Sequence, residues 1–147
     1  MSSSPADIAQ GLERLRLRTK SDFAGLGQVD GETRKLRWRF AAGSVNERTR
    51  SIAQKPTAGL SGAALRSGRP ARMEDGHGES ARLRLEEPVM LAERLASAAA
   101  IPIAEGTGGV LLLGRRDGRG YETAEMQQAL SETEAFRAAF LEPIRPR

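Results

Sequence analysis

Apolar residues change their period several times along this chain. Between Ala6 and Lys20, Ile8, Leu12, Leu15 and Leu17 recur near helical spacing with charges between them, which predicts an amphipathic helix. From Asp22 to Asp30 the pattern switches: Phe23, Leu26 and Val29 are apolar, and Asp30-Gly31 is a hairpin-turn signal. From Arg34 to Ala42 the alternation is strict, with Leu36, Trp38 and Phe40 set against Lys35, Arg37 and Arg39. That is the period of a half-buried strand carrying Leu36, Trp38 and Phe40 on its inward face. The two segments predict a hairpin.

Asn46 to Gln54 is polar and reads as a short helix or turn. Pro56 to Gly59 is a loop, and Leu60 to Arg66 a short helix stopped by Ser67-Gly68-Arg69-Pro70. Ala71 to Glu74 reads as a short strand. Asp75 to Arg84, with its glycines and the lone His77, reads as a mobile surface excursion. Pro88 suits the first turn of a second short helix, Val89 to Leu95. Ala98 to Ala104 and Gly109 to Arg115 read as strands joined by a turn at Glu105 to Gly108, and Asp117-Gly118 turns the chain again. Thr123 to Leu141 closes the chain as a helix with Met126, Leu130, Phe136 and Phe140 roughly on one face.

Strands joined by short turns must pair antiparallel. The expected fold is therefore α+β: one antiparallel sheet of five or six strands, terminal helices on one face, short helices and loops on the other. No repeat or internal boundary interrupts it, so a single domain is expected over residues 1–147, with frayed tails at about 1–5 and 143–147.

Composition narrows the chemistry. A chain of 147 residues suits one domain with one real core. It has no cysteine, which removes disulfides, thiolate metal sites, cysteine nucleophiles and thiol redox switching. The start MSSSPADIAQGLERL is not a signal peptide, and the longest apolar run, Ala98 to Ala104, is interrupted by Pro102 and far too short to span a bilayer. A cytoplasmic protein with no membrane partner is expected. Net charge is +4, but the arginines are dispersed among acidic residues. Few aromatics are available for base stacking and no nucleic-acid motif appears, so no nucleic-acid partner is expected.

The order of elements resembles that of a GAF domain. So do four words in order: Gly59-Leu60-Ser61-Gly62, Ser67-Gly68-Arg69-Pro70, Ala100-Ile101-Pro102-Ile103 and Gly109-Val110-Leu111-Leu112-Leu113-Gly114. A narrower likeness rests on Leu36-Arg37-Trp38-Arg39-Phe40, Ser44-Val45-Asn46-Glu47-Arg48 and Pro88-Val89-Met90-Leu91-Ala92-Glu93-Arg94-Leu95. These look like the stand-alone nitrate-receptor GAF proteins of the NreA type, which adjust an oxygen-sensing histidine kinase of a bacterial two-component system.

That resemblance implies a ligand held between the sheet and the short helices. Trp38 offers an indole N–H that can only donate. Leu60 and Ser61 stand at the start of one short helix, and Pro88 and Val89 at the start of another, where unpaired backbone N–H groups favour an anion. Two helix starts and one indole can enclose a small planar oxyanion without a cationic side chain, in an apolar pocket closed by Leu36, Leu91 and Ile101. The resemblance puts the family's nitrate contacts on Trp38, Leu60, Ser61 and Val89, with Gln54 and Glu87 at the pocket edge. The chain departs from the pattern there, since the family tends to have Leu at Gln54, Ala at Ser61 and Tyr at Glu87. Ser61 adds a hydroxyl and Gln54 an amide, whereas a carboxylate beside an anion site is unfavourable unless it points to solvent.

Each feature also has a plainer reading. Trp38 between Leu36 and Phe40 fits ordinary core, Gly59 to Gly62 fits a helix start, His77 fits the surface, and Glu86-Glu87 fits a solvated pair. One histidine with no cysteine forms no familiar zinc site. Gly106-Thr107-Gly108-Gly109 precedes a strand, so it is a turn and not a phosphate loop. The reductases of the GAF fold need cysteines, bilin attachment usually needs one, the cyclic-nucleotide signature is missing, and a lone histidine supports no Ser-His-Asp triad. No enzymatic activity, cofactor or metal is expected. Three readings fit: a sensor of a small anion such as nitrate acting on a histidine kinase, a GAF domain for another small molecule, and a ligand-free module that dimerises through its terminal helices.

Overall fold

A computed structural model describes residues 5–74, 79–103 and 108–141. The elements run α1 (Pro5–Arg18), β1 (Phe23–Val29), β2 (Leu36–Ala42), a 3-10 helix (Glu47–Ser51), β3 (Ala53–Gln54), α2 (Gly59–Ser67), β4 (Ala71–Met73), α3 (Glu79–Leu85), α4 (Pro88–Ala92), β5 (Ser97–Ile103), β6 (Gly109–Arg115) and α5 (Thr123–Leu141). The strands form one six-stranded sheet in the order β3-β2-β1-β6-β5-β4. Every neighbouring pair is antiparallel. The expected α+β architecture with helices on both faces is the observed one.

The sheet separates two apolar layers. On one face, Ala24, Leu26, Ala99, Ile101, Leu111 and Leu113 pack against Ile8, Leu12 and Leu15 of α1 and Met126 and Ala129 of α5. On the other, Phe23, Leu36, Trp38, Ala98, Ala100, Val110 and Leu112 pack against Leu60 and Ala64 of α2 and Val89 and Met90 of α4. Alternation along β5 and β6 sorts the residues between faces, as a period of two requires.

Alternation fails once, in β2. Leu26 pairs with Phe40 but Gly27 with Trp38, so Arg39 is an extra residue in the strand. A bulge of one residue reverses which way the following side chains point. Leu36 and Trp38 therefore face the short helices, while Phe40 packs in the layer with α1 and α5. This corrects the expectation that Leu36, Trp38 and Phe40 share one face. Opposite the indole, β1 carries Gly25 and Gly27. A Cβ at Gly27 would come within 3.1 Å of the Trp38 ring, so small residues there make room for it.

Other expectations shift. The stretch Asp75 to Arg84 is not wholly a surface excursion, because α3 begins at Glu79; residues 75–78, with His77, lie outside the described residues. So do the middle of the expected turn, residues 104–107, and the tails, residues 1–4 and 142–147. The second short helix ends at Ala92, before Leu95. Leu17 and Leu130, read as buried stripe positions, are exposed. Met126, Ala129 and Thr133 form the buried line of α5, and the side chains of Phe136 and Phe140 lie outside the description. Gln54 sits in a strand, β3, that its polar context conceals. Among the described residues no helix is long and apolar enough to cross a membrane.

Arg115, at the end of β6, ties the end of α1 and the start of α5 to the sheet. Its side chain is buried, and its Nη2 donates to the Thr19 carbonyl at 2.7 Å and to Glu125 Oε2 at 2.6 Å. Nε donates to the Lys20 carbonyl at 3.1 Å and Nη1 to the Gly120 carbonyl at 2.7 Å. The guanidinium also stacks on the Tyr121 ring, 3.9 Å from its centroid. The carbonyls of Thr19 and Lys20 follow the last turn of α1, where a helix leaves acceptors unpaired. Arg115→Leu should cost about 3–5 kcal/mol, the scale for leaving buried polar partners uncompensated. Arg115→Lys should recover little of it, because a point ammonium cannot reproduce the planar fork. Urea unfolding of both variants checks this; full recovery by lysine would contradict it.

Candidate functional site

Trp38, Gln54, Leu60, Ser61 and Glu87 meet on the short-helix face of the sheet. Gln54 lies opposite Leu36 in the β2–β3 pairing, which turns its side chain to the same face as Leu36 and Trp38. The Trp38 indole N–H donates to Gln54 Oε1 at 3.0 Å. Gln54 Nε2 in turn donates to Glu87 Oε2 at 2.7 Å. The Ser61 backbone N–H donates to Glu87 Oε1 at 2.8 Å, and the Ser61 hydroxyl to Oε2 at 3.2 Å. The Leu60 N–H also points at this carboxyl.

Local chain chemistry explains the convergence. Helix α2 begins after Ala58, which has no side chain able to cap it, so its first N–H groups need an acceptor from elsewhere. Glu87 supplies it. Glu87 is itself the N-cap residue of α4, but its side chain makes no capping bond to its own helix. Pro88 holds the preceding residue extended, at φ −112° and ψ 93°, and from there the Glu87 carboxyl reaches across to α2. Gly59 completes the fit. Its φ is +70°, and a Cβ there would lie 2.7 Å from Glu87 Oε1. Glycine is required both for the left-handed backbone and for the close approach.

The carboxyl is fully enclosed. Glu87 has 0% of its surface exposed, Ser61 0% and Gln54 5%. Glu86 is exposed, so the expected solvated Glu86-Glu87 pair is corrected: one member is in water and the other is in the core. The carboxylate's hydrogen-bond partners are neutral groups. Burial pushes the Glu87 pKa up, the Ser61 and Leu60 N–H groups, the Gln54 amide and the Ser61 hydroxyl pull it back, and the net shift is upward. Among the described residues the only buried side-chain polar atom without a partner is Glu132 Oε2, so each side-chain donor of this cluster is already engaged.

The remaining expected site residues fall differently. Val89 is fully buried in the apolar cluster around Trp38. Pro88 acts through the backbone, as the first residue of α4. The start of α4 thus brings an acceptor, Glu87, to the site. Of the expected closing residues, Leu36 packs beside Trp38, but Leu91 is exposed and Ile101 lies on the far face with α1 and α5.

A second enclosed carboxylate, Glu93, was not foreseen. It sits at the C-terminal end of α4 with 0% exposure and accepts from the Val45 N–H at 2.8 Å, from the Ser44 and Thr49 hydroxyls, and from Arg116 Nη2 at 3.0 Å. It ties the 3-10 segment and the end of β6 to α4. Its donors come from three separated stretches, and nothing local to Glu93 announces them. Among the described residues no cluster could hold a metal ion.

The upward shift of Glu87 sets a pH signature. The folded chain holds this proton more tightly than the unfolded chain does. Stability carried by Glu87 is therefore full below the unfolded carboxyl range and declines as pH rises toward the folded value. Glu87→Gln cannot titrate. Its stability deficit relative to wild type should shrink as pH is raised from about 4 to about 8. Urea unfolding across that range measures it, and a deficit that widens with pH would reverse the sign.

The family model of the GAF domain matches residues 4–135. No curated protein matches the chain. Among solved structures, the chain is similar to an NreA protein of Staphylococcus aureus mutated in its nitrate-binding site, at 22% identity and TM-score 0.72, over 88% of this chain and 97% of that one. It is similar to the GAF domain of a phosphoenolpyruvate-protein phosphotransferase from Coxiella burnetii, at 17% identity and TM-score 0.74, over 95% and 84%. It is likewise similar to the GAF domain of a two-component sensor histidine kinase from Bacillus halodurans, at 16% identity and TM-score 0.73, over 94% of each chain. At these identities the likeness carries the fold and no ligand, and the hosts differ, one domain coming from a phosphotransferase and another from a histidine kinase. The family model spans nearly the whole chain, and the chain belongs to the GAF domain family.

Proposed function

We propose that this chain is a non-catalytic GAF regulatory module that works with its pocket already filled. The observation that carries this reading is Glu87. The donors that would meet a small oxyanion, namely the start of α2, the Ser61 hydroxyl and the Gln54 amide backed by Trp38, are spent on the chain's own carboxylate. A free anion would have to displace a side chain that is covalently held in place, and would meet its charge if it did not. The module then acts through its surface. The partners this reading calls for are a signalling protein of the two-component kind, such as a sensor histidine kinase, and a second copy bound through α1 and α5, in the cytoplasm.

A second reading keeps the pocket for nitrate. The likeness to the NreA protein of S. aureus favours it. In that case nitrate enters only as Glu87 leaves, and the segment joining α3 to α4 must move with it.

Thermal unfolding at matched ionic strength separates the two. A ligand that binds only the folded state at about a hundred times its Kd adds about 2.7 kcal/mol, enough to move the midpoint by several degrees. With Glu87 in place, roughly 10 mM nitrate should shift the wild-type midpoint no further than chloride does. A nitrate-specific rise of several degrees would overturn the filled-pocket reading and favour the sensor.

A further inference from the structure

Glu87 and Glu93 have no exposed surface, so neither contributes to the charge that the short-helix layer shows to solvent. The consequence is concentrated beside the end of α4. Strand β3 covers the outer edge of β2 only at Leu36 and Arg37. Past Arg37 the 3-10 helix packs against β2 instead, and Arg50 Nη2 donates to the Arg39 carbonyl at 3.1 Å. An open groove of about 750 Å³ lies there, lined by Ala41, Ser44, Val45, Asn46, Glu47 and Arg50.

The neutral polar side chains of the groove are already bonded. The Ser44 hydroxyl donates to Glu93, Asn46 Nδ2 donates to the Ala92 carbonyl at 3.3 Å, and Asn46 Oδ1 accepts from the Arg48 N–H at 2.9 Å. These bonds seat the loop on the end of α4. They leave Val45 66% exposed and Leu91 45% exposed, each one residue before a member of the Asn46–Ala92 pair. Arg48 and Arg94, each three residues further on, are exposed as well, and so is Arg50. Among the described residues none of these three arginines is in an ion pair. Glu47 is the one carboxylate among the lining residues. Two apolar anchors therefore stand among three guanidiniums and one acid.

We propose that this groove docks an acidic segment of a partner protein, with apolar side chains for Val45 and Leu91 and carboxylates for Arg48, Arg50 and Arg94. A groove admits a chain segment, which a flat bilayer cannot enter. The exposed large apolar residues of the described chain include no aromatic, so the surface offers no ring for bases to stack on. The inference rests on that part of the proposed function in which the module acts through its surface. It gives that surface a place, where the 3-10 segment meets α4.

The test is a selection of displayed random peptides of about 16 residues, long enough for two helical turns of anchors. Wild type is the bait and Val45→Ser/Leu91→Ser the counter-selector. Both positions are exposed, so this variant should keep the wild-type thermal midpoint. The enriched peptides should be acidic and carry at least two apolar residues. A synthesised peptide from that pool, followed by fluorescence anisotropy, should bind Val45→Ser/Leu91→Ser more weakly by over about tenfold. It should bind Arg48→Gln/Arg50→Gln about five- to tenfold more weakly. Its affinity for wild type should fall as salt rises from about 50 to about 300 mM. Arg14→Gln, an exposed position on α1, should change nothing. Enrichment of neutral or basic peptides overturns the proposal, and so does a pool that fails to tell wild type from either groove variant. Phosphatidylglycerol vesicles or single-stranded DNA that bind wild type and lose affinity on the same substitutions would overturn it in favour of a membrane or a nucleic acid. A failed selection with a wild type insensitive to nitrate removes this surface and leaves the filled-pocket reading. A wild type stabilised by nitrate that still selects acidic peptides keeps the surface and removes that reading.

Discussion

A carboxylate removed from water has to be surrounded by donors, and the short-helix layer of this domain is arranged around that requirement. Helix α2 starts without a capping side chain, β3 is a strand of Ala53 and Gln54 alone at the sheet edge, and α4 runs only from Pro88 to Ala92. None of these is stable by its own propensity; isolated helices this short are marginal at best. What joins them is Glu87, which accepts from α2 and from β3 while belonging to the start of α4. Glu93 does the same at the other end of α4, drawing in Ser44, Val45, Thr49 and Arg116. A helix of five residues is thus pinned at both caps by enclosed carboxylates.

The opposite face is built on different physics. Helices α1 and α5 are long enough to present apolar stripes, and Ile8, Leu12, Leu15, Met126 and Ala129 meet the sheet through apolar contacts. A buried charge stands at the edge of this layer: Arg115, at the end of β6, gathers the carbonyls that follow α1. The two faces are therefore separable. The terminal-helix face supplies hydrophobic stabilisation that tolerates change of about the right volume. The short-helix face depends on matched polar partners, where loss of one leaves another unpaired at about 1–3 kcal/mol.

This division explains what could be read from the chain. Periodic segments were legible: α1, β1, the hairpin, β6 and α5 all follow from spacing and turn residues. The site residues were brought to notice by likeness to a family, and Trp38, Gln54, Ser61 and Glu87 do meet. Their relation was not legible. Glu87 beside Glu86 has the local look of a solvated pair, because burial is decided by Pro88 and Gly59, which aim the carboxyl and clear its path. Phe40 was misplaced because a bulge at Arg39 leaves no mark on an otherwise perfect alternation. Gln54 hid in a polar stretch, since its partners lie on β2 and at the start of α4.

By residue type alone, a carboxylate near an anion site is a misfit that has to point away. The geometry places it the other way: the Glu87 carboxyl turns into the core and accepts from Gln54 and Ser61. Neutral donors at a helix start do not distinguish an oxyanion on a side chain from one in solution, and both present a planar pair of oxygens. They differ in the entropy of delivery, since the tethered group arrives with the fold and the free one must be paid for by concentration. On the reading proposed above, one residue ahead of Pro88 decides between these cases. A tether there keeps α2, β3 and α4 joined at all times, so the face they present to a partner no longer depends on a ligand, and control has to come from whatever binds that face.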